Sequence, residues 1–321
     1  MPDSGFPGGK QFAFTIFDDT DVATVENTEP VYRLLEDLGM RATKTVWPVA
    51  CPEGSRDFSS SQTLEDPEYL RFVLDLQRRG FEIAYHGATM ESSLRARTLA
   101  AMARFRSLLG AYPRLHANHA LNRENIYWGP ARIDEPALKS LLKWAGRQPP
   151  AYFAGHVEGS PYWWGDVCSR HLCYVRNLTF NSLNLAAINP SMPYHDPGRP
   201  CVRWWFSCSD AEDAKEFNQL LRPEQLERLE RERGFCIVAT HFGKGFVQNS
   251  GVHPTTRARL EELARRPGWF PTAGELLDWL RQRRGSDALP RREWQRMQWR
   301  WAVDLAVRKW NQRRRRNRTI S

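Results

Sequence analysis

The apolar positions of this chain fall into two alternating rhythms. Short, mostly apolar runs at Phe12–Phe17, Phe81–Tyr85 and Phe235–Ala239 are rich in aromatic and β-branched residues and predict buried strands. Between them stand stretches with helical spacing. Val31, Leu34, Leu35 and Leu38 recur at i, i+3, i+4 and i+7, with Pro30 suited to a first helical turn and Gly39 to a stop. Asp66-Pro67 opens a second such helix, which carries Leu70, Val73 and Leu74 and ends at Gly80. A third runs from Ser92 or Ser93 through Leu99, Met102, Phe105 and Leu109 to Gly110. Further strands are expected at Thr43–Val49, Tyr152–Gly155, Leu178–Leu183 and Val202–Phe206, and further helices at Pro136–Gly146, Pro223–Arg233, Thr255–Arg266 and Thr272–Arg283.

Strand and helix in alternation predict parallel pairing with right-handed crossovers. The predicted strands also share a polar ending. Phe12–Phe17 stops at Asp18-Asp19, Phe81–Tyr85 at His86, Phe235–Thr240 at His241 and Tyr152–Gly155 at His156. Carboxylates and imidazoles delivered at strand ends describe a distorted (β/α) barrel of seven or eight parallel strands whose chemistry sits at the carboxyl-terminal mouth.

Length permits one large core, so residues 1–284 are expected to form one barrel domain and 285–321 a basic helix and tail. The net charge of +9 is concentrated there. From Arg281 to Ser321, fourteen Lys/Arg stand against three acids, whereas residues 1–280 carry 32 against 34. From Glu293 to Gln312 one stripe of a helix holds Trp294, Met297, Trp301 and Leu305, and the opposite stripe holds Trp299, Val303, Ala306, Val307 and Trp310. One stripe can pack on the barrel. The other, beside Arg313–Arg316, fits peripheral contact with an anionic membrane, or burial in a dimer. Charge alone would admit nucleic acid, but no binding module accompanies it and no specific nucleic-acid partner is expected.

No apolar run is long enough to span a bilayer, and Met1–Lys10 lacks the pattern of a secretory signal, so a cytoplasmic location, with possible attachment at the inner membrane surface, is the expectation. The six cysteines form no C-x-x-C pair and are expected to be reduced.

Adjacent aspartates at a strand end can divide labour, one binding a divalent metal and one acting as a base toward water, with imidazoles from other strands completing the metal shell and His241 serving as acid. His116 and His119 follow the third helix and are candidates for that shell, while His156 and His195-Asp196 read as structural. The segment Asn118–Gly129 mixes amides, charge and rings, as a sugar would require, and places Asn118, Asn122, Arg123 and Trp128 on the substrate side.

In order along the chain, Thr15-Ile16-Phe17-Asp18-Asp19, Arg41-Ala42-Thr43, Gly80-Phe81-Glu82-Ile83-Ala84-Tyr85-His86 and Ile237-Val238-Ala239-Thr240-His241 resemble the motifs of the polysaccharide deacetylases of the nodulation-factor type, over roughly residues 11–283. The resemblance implies hydrolysis of an acetyl amide or ester on a carbohydrate. It implies Asp18 as general base, Asp19 and His86 as metal ligands and His241 as general acid. Met90 stands where that family has a second histidine, so the expected metal set here is Asp19, His86 and one of His119 or His116, with His119 preferred and zinc the expected ion. Two other functions fit the same barrel: opening of a cyclic amide, or non-catalytic carbohydrate binding or glycan assembly.

Overall fold

The computed structural model describes residues 5–145 and 152–319. Seven parallel strands close on themselves in chain order: β1 (Phe12–Asp18), β2 (Ala42–Val46), β3 (Glu82–Tyr85), β4 (Leu115–His116), β5 (Tyr174–Phe180), β6 (Trp204–Asp210) and β7 (Phe235–Thr240). Closure comes from β7 against β1, in register from Ala13 opposite Phe235 to Asp18 opposite Thr240. An antiparallel hairpin, β8 (Val247–Gln248) and β9 (Gly251–Val252), lies after β7, and an eighth parallel strand, β10 (Gly268–Trp269), pairs with the start of β1 outside the ring. The distorted (β/α) barrel is therefore the observed architecture.

Every residue of β1 and β7 is buried, as expected where one face fills a barrel and the other is covered by helices. Some of those helices begin where a side chain accepts from a free backbone N–H group. The helix after β1, α1 (Val25–Asp37), starts with a capping box in which Thr24 and Asn27 bond each other's backbone. It starts earlier than Pro30 suggested, so that proline lies inside the helix. Proline does open α2 (Pro67–Arg78), after which come α3 (Arg95–Leu109), α4 (Pro136–Ala145) and α5 (Gly165–His171). The remainder are α6 (Ala214–Leu220), α7 (Pro223–Arg231), α8 (Pro254–Ala264), α9 (Ala273–Gln282) and α10 (Arg291–Thr319).

Three strand expectations shift, the one at Thr43–Val49 ending early at Val46, and one fails. The fifth and sixth strands begin and end at Tyr174–Phe180 and Trp204–Asp210 rather than at Leu178–Leu183 and Val202–Phe206. Tyr152–Gly155 forms no strand: β4 pairs directly with β5, which leaves it no place in the ring. It packs instead over the loop after β4, where Ala154 N–H donates to Arg123 O at 2.7 Å. A Cβ built on Gly155 would come within 1.8 Å of Glu124 O, so only glycine admits this approach. The last residues of the helix expected to reach Gly146 lie outside the described residues. All six cysteines are unbridged.

Helix α10 packs along the rim. Trp294, Met297 and Trp301 are buried, Asp134 and Glu135 N–H donate to Gln298 Oε1 at 2.6 and 2.9 Å, and Asn181 N–H donates to Asp304 Oδ2 at 2.9 Å. Among the described residues no helix is long and apolar enough to cross a membrane.

Candidate active site at the barrel mouth

The two adjacent aspartates at the end of β1 have different surroundings. Asp18 turns into the sealed interior. Its Oδ2 accepts from Lys44 Nζ at 3.0 Å and from Tyr32 OH at 2.8 Å, and its Oδ1 accepts from Phe242 N–H at 2.8 Å. Neither Asp18 nor Lys44 has any side-chain exposure. Burial pulls the Lys44 ammonium down, but the neighbouring Asp18 charge outweighs it and holds the pKa above its ordinary value.

Asp19 instead faces the mouth, in a bidentate ion pair with Arg176 of β5 at 3.0 and 2.6 Å. Burial raises its pKa, but the charge of Arg176, then those of His86 and His241, bring it below the usual carboxylate value. It is ionised at neutral pH.

Asp21, three residues beyond the strand's last aspartate, is the carboxylate around which the imidazoles gather. His86 Nε2 and His119 Nε2 each lie 3.4 Å from its Oδ1, and His241 Nε2 lies 3.2 Å from its Oδ2. Asp19 is close to the same group, 3.7 Å from His86 Nδ1 and 3.9 Å from His241 Nε2. Burial opposes the charge of Asp21, yet contacts with His241 and His86 hold its pKa well below the ordinary value. His241 shows the reciprocal effect: burial lowers it, and Asp21 with Asp19 more than restores it, leaving it raised. Its Nδ1 lies 2.8 Å from Glu212 O, an acceptor, so Nδ1 carries a proton and Nε2 is the nitrogen presented to the mouth. Trp47 flanks both His86 and His119, with ring centroids 4.8 and 4.9 Å away.

Of the residues singled out from sequence, the structure thus brings together Asp19, His86, His119 and His241, and sets Asp18 and His116 apart. His116 Nδ1 lies 3.0 Å from Tyr85 O and its Nε2 3.1 Å from Asn118 Oδ1, and burial lowers its pKa to about 4. Both of its nitrogens are engaged away from Asp21. His156 Nδ1 accepts from Tyr127 N–H at 3.2 Å, also outside the cluster. Met90 is buried against Trp47 and Cys51, its sulfur accepting from Ser60 Oγ.

A cavity of about 610 Å³ opens beside His119, lined by Met90, Glu91, Leu121, Asn122 and Tyr152 among others. Asn122 forms part of its wall, its amide donating to Thr89 O and Glu91 O. Arg123 lies exposed nearby, its guanidinium 4.4 Å from the Tyr162 ring and 5.6 Å from that of Tyr152. Asn118 is buried in bonds to Ile126, and Trp128 has the Arg132 guanidinium 3.4 Å from its ring. Neither lines this cavity.

Glu124 supports the same loop by accepting from Ser93 N–H at 3.0 Å and Asn122 Nδ2 at 3.2 Å. Burial raises its pKa to about 7, against the effect of the Ser93 bond. Between an ordinary carboxylate pKa and 7 the unfolded chain gives up this proton before the folded one, so stability falls as pH rises through that window, by on the order of 3 kcal/mol. Glu124→Gln should therefore raise the urea midpoint at pH 8 and leave it nearly unchanged at pH 4. An equal shift at both values would show that Glu124 does not titrate late.

The fold and mouth define a class: a parallel barrel with a half-buried acid–imidazole–arginine cluster at the carboxyl ends of its strands. No family model and no curated protein matches the chain. Solved structures do match. The Puue allantoinase is similar at a TM-score of 0.50 and 10% identity, over 88% of this chain and 94% of that one. A protein assigned as a polysaccharide deacetylase from Mycobacterium smegmatis is similar at 0.48 and 14%, over 89% and 96%. A family 4 acetyl xylan esterase from Clostridium thermocellum, solved with a cobalt ion, is similar at 0.40 and 13%, over 87% and 99%. Proteins described as polysaccharide deacetylases are thus among the solved structures that this fold is similar to.

Proposed function

We propose that this chain is a divergent hydrolase of the polysaccharide-deacetylase kind, which removes an acetyl group from an acetylated carbohydrate. The observation that carries the reading is the convergence of Asp19, Asp21, His86, His119 and His241 on one half-buried cluster beside an open cleft. Sequence order put the base at Asp18 and a metal ligand at Asp19. The surroundings favour a displaced set of roles, with Asp19 as base, Asp21 as metal ligand and Asp18 as a structural anion.

The metal set expected from sequence does not fit. The Arg176 guanidinium lies against both oxygens of Asp19, where it repels a metal cation while each oxygen keeps a lone pair for a proton, and both nitrogens of His116 are engaged. Nor, among the described residues, do any three His, Cys, Asp or Glu side chains form a group that could hold a metal ion as they stand. The donors that suit one chemically are Asp21, His86 and His119. Asp21 Oδ1 is buried without a hydrogen-bond partner, and the two Nε2 atoms at 3.4 Å are too far for good hydrogen bonds. That separation is close to the spacing of two ligands each about 2.1 Å from a shared zinc ion. Capture would require these side chains to adjust. When bound, such an ion would polarise the acyl oxygen and acidify water.

The chain's own groups supply the proton transfers. Asp19, kept ionised and oriented by Arg176, accepts the proton of the attacking water. The water oxygen becomes part of the released acetate as the C–N or C–O bond breaks. Protonated His241, steadied through Nδ1 by Glu212 O, gives the Nε2 proton to the departing amine or hydroxyl. The sugar lies in the cleft by Asn122, Arg123 and Tyr152, with Asn118 and Trp128 supporting the loop that shapes it.

Zinc-loaded, dialysed protein should retain about one ion per chain, as elemental analysis would read, with loss in Asp21→Ala and His119→Ala and retention in His116→Ala. Full retention in Asp21→Ala would remove Asp21 from the set. Acetate release from a panel of acetylated sugars, with cyclic amides alongside, tests the reaction. Ring opening without acetate release would move the reading to a cyclic-amide hydrolase, and no turnover of either would favour a binding protein.

A further inference from the structure

The outward face of α10 has an order that the barrel does not use. At successive intervals of four, three, four and four residues come Arg292, Arg296, Trp299, Val303 and Val307, so these positions form one stripe of the helix. Trp299 is 48% exposed, Val303 57% and Val307 46%. Arg292 and Arg296 are exposed as well. The opposite stripe, with Trp294, Met297, Gln298, Trp301 and Asp304, is consumed by the barrel. The spare stripe is therefore not waiting for this chain's own core.

Its composition distinguishes between occupants. Pairing of this helix with the same helix of a second copy would need acidic groups to receive its arginines, but the segment Arg281–Ser321 carries fourteen basic and three acidic residues. Two of those three are spent internally: Glu293 accepts from Ser191 N–H and Oγ, and Asp304 accepts from Asn181 N–H and pairs with Arg300. An apolar band of tryptophan and valine, with arginines before it and the run Arg313–Arg316 soon after it in sequence, is complementary to an anionic bilayer surface. Indole rings and valines enter the headgroup boundary while guanidinium groups meet phosphates.

We propose that α10 docks this protein on anionic phospholipid membranes through Trp299, Val303 and Val307, independently of the catalytic reading. The helix is fastened to Asn181, just past the carboxyl end of β5, and to Asp210, at the end of β6, through Arg308. The docking face thus lies at the same end of the barrel as the Asp19–Asp21 cluster.

The experiment is vesicle sedimentation of the full chain. Phosphatidylcholine vesicles containing phosphatidylglycerol should pellet the protein about tenfold more effectively than phosphatidylcholine alone, and about 1 M salt should remove most of that difference. Trp299→Ser/Val303→Ser/Val307→Ser, with its circular dichroism unchanged, should lose about tenfold in binding to the mixed vesicles. Equal pelleting on both lipids, or of variant and wild type, would overturn the proposal. So would a dimer in light scattering that the triple variant reduces to a monomer, since a second copy would then be the occupant. Vesicle binding abolished by competing RNA at equal phosphate, with the triple variant unaffected in RNA binding, would also overturn it, by assigning the charge to nucleic acid.

Discussion

Asp21→Asn should lower acetate release by about three orders of magnitude while leaving the thermal midpoint within a few degrees of wild type. The magnitude follows from what this carboxylate holds together. Removing its charge takes away the anion facing His86, His119 and His241 and the principal contact keeping the His241 pKa high, so both a donor toward a metal and the proton on the general acid are weakened. Loss of a general acid or base alone costs about 10²–10⁴-fold, and a shared support lost by several groups falls within or above that range. Stability should respond little, because asparagine is isosteric and three like-charged imidazolium groups are not forced on the site: burial lowers the His119 pKa and allows that ring to be neutral. The paired measurement is Asp18→Asn. If Asp18 were the base, that substitution would give the large kinetic loss and Asp21→Asn the small one, which would reverse the roles assigned to the two aspartates.

Sequence pattern carries information where a strand is wholly buried and stops where the backbone is irregular. Strand β1 was legible because every one of its residues is buried, so an unbroken apolar run ending in acids had one reading. The same logic placed His86 and His241 at strand ends, and both reach the mouth. It failed at Tyr152–Gly155, where the apolar residues pack over a loop instead of entering the sheet, a choice set by ring closure between β4 and β5. Asp21 was missed because it follows the strand in an irregular turn, where no periodicity says which way a side chain faces; the only signal was a third acid so close to two others. Arg176 left a clearer trace. A guanidinium in the buried run Tyr174-Val175-Arg176 must find an anion, and starting that strand at Leu178 hid the question. Asp18 and Asp19 take separate cations, one from β2 and one from β5.

Lys44→Met should be the most destabilising single substitution at the mouth, costing about 3–5 kcal/mol. Lys44 and Asp18 are both sealed from solvent, and the ammonium also lies 5.6 Å from the Tyr32 ring and 5.7 Å from that of Tyr69. Methionine fills the space but leaves a carboxylate whose remaining partners, Tyr32 OH and Phe242 N–H, donate hydrogen bonds without cancelling its charge. Asp18→Asn in the Lys44→Met background should recover a large part of the loss, since the amide oxygen can still accept and no net charge remains buried. The raised pKa of Lys44 sets the pH window. Its contribution is fully present below the unfolded lysine value of about 10.4 and disappears only as pH rises through the folded value, so the double-mutant coupling should be flat from pH 6 to 9. Urea unfolding of wild type, both single variants and the double variant measures it. Near-additive losses would mean that the two groups do not act as a pair, and would return Asp18 to consideration as a mobile, catalytic acid.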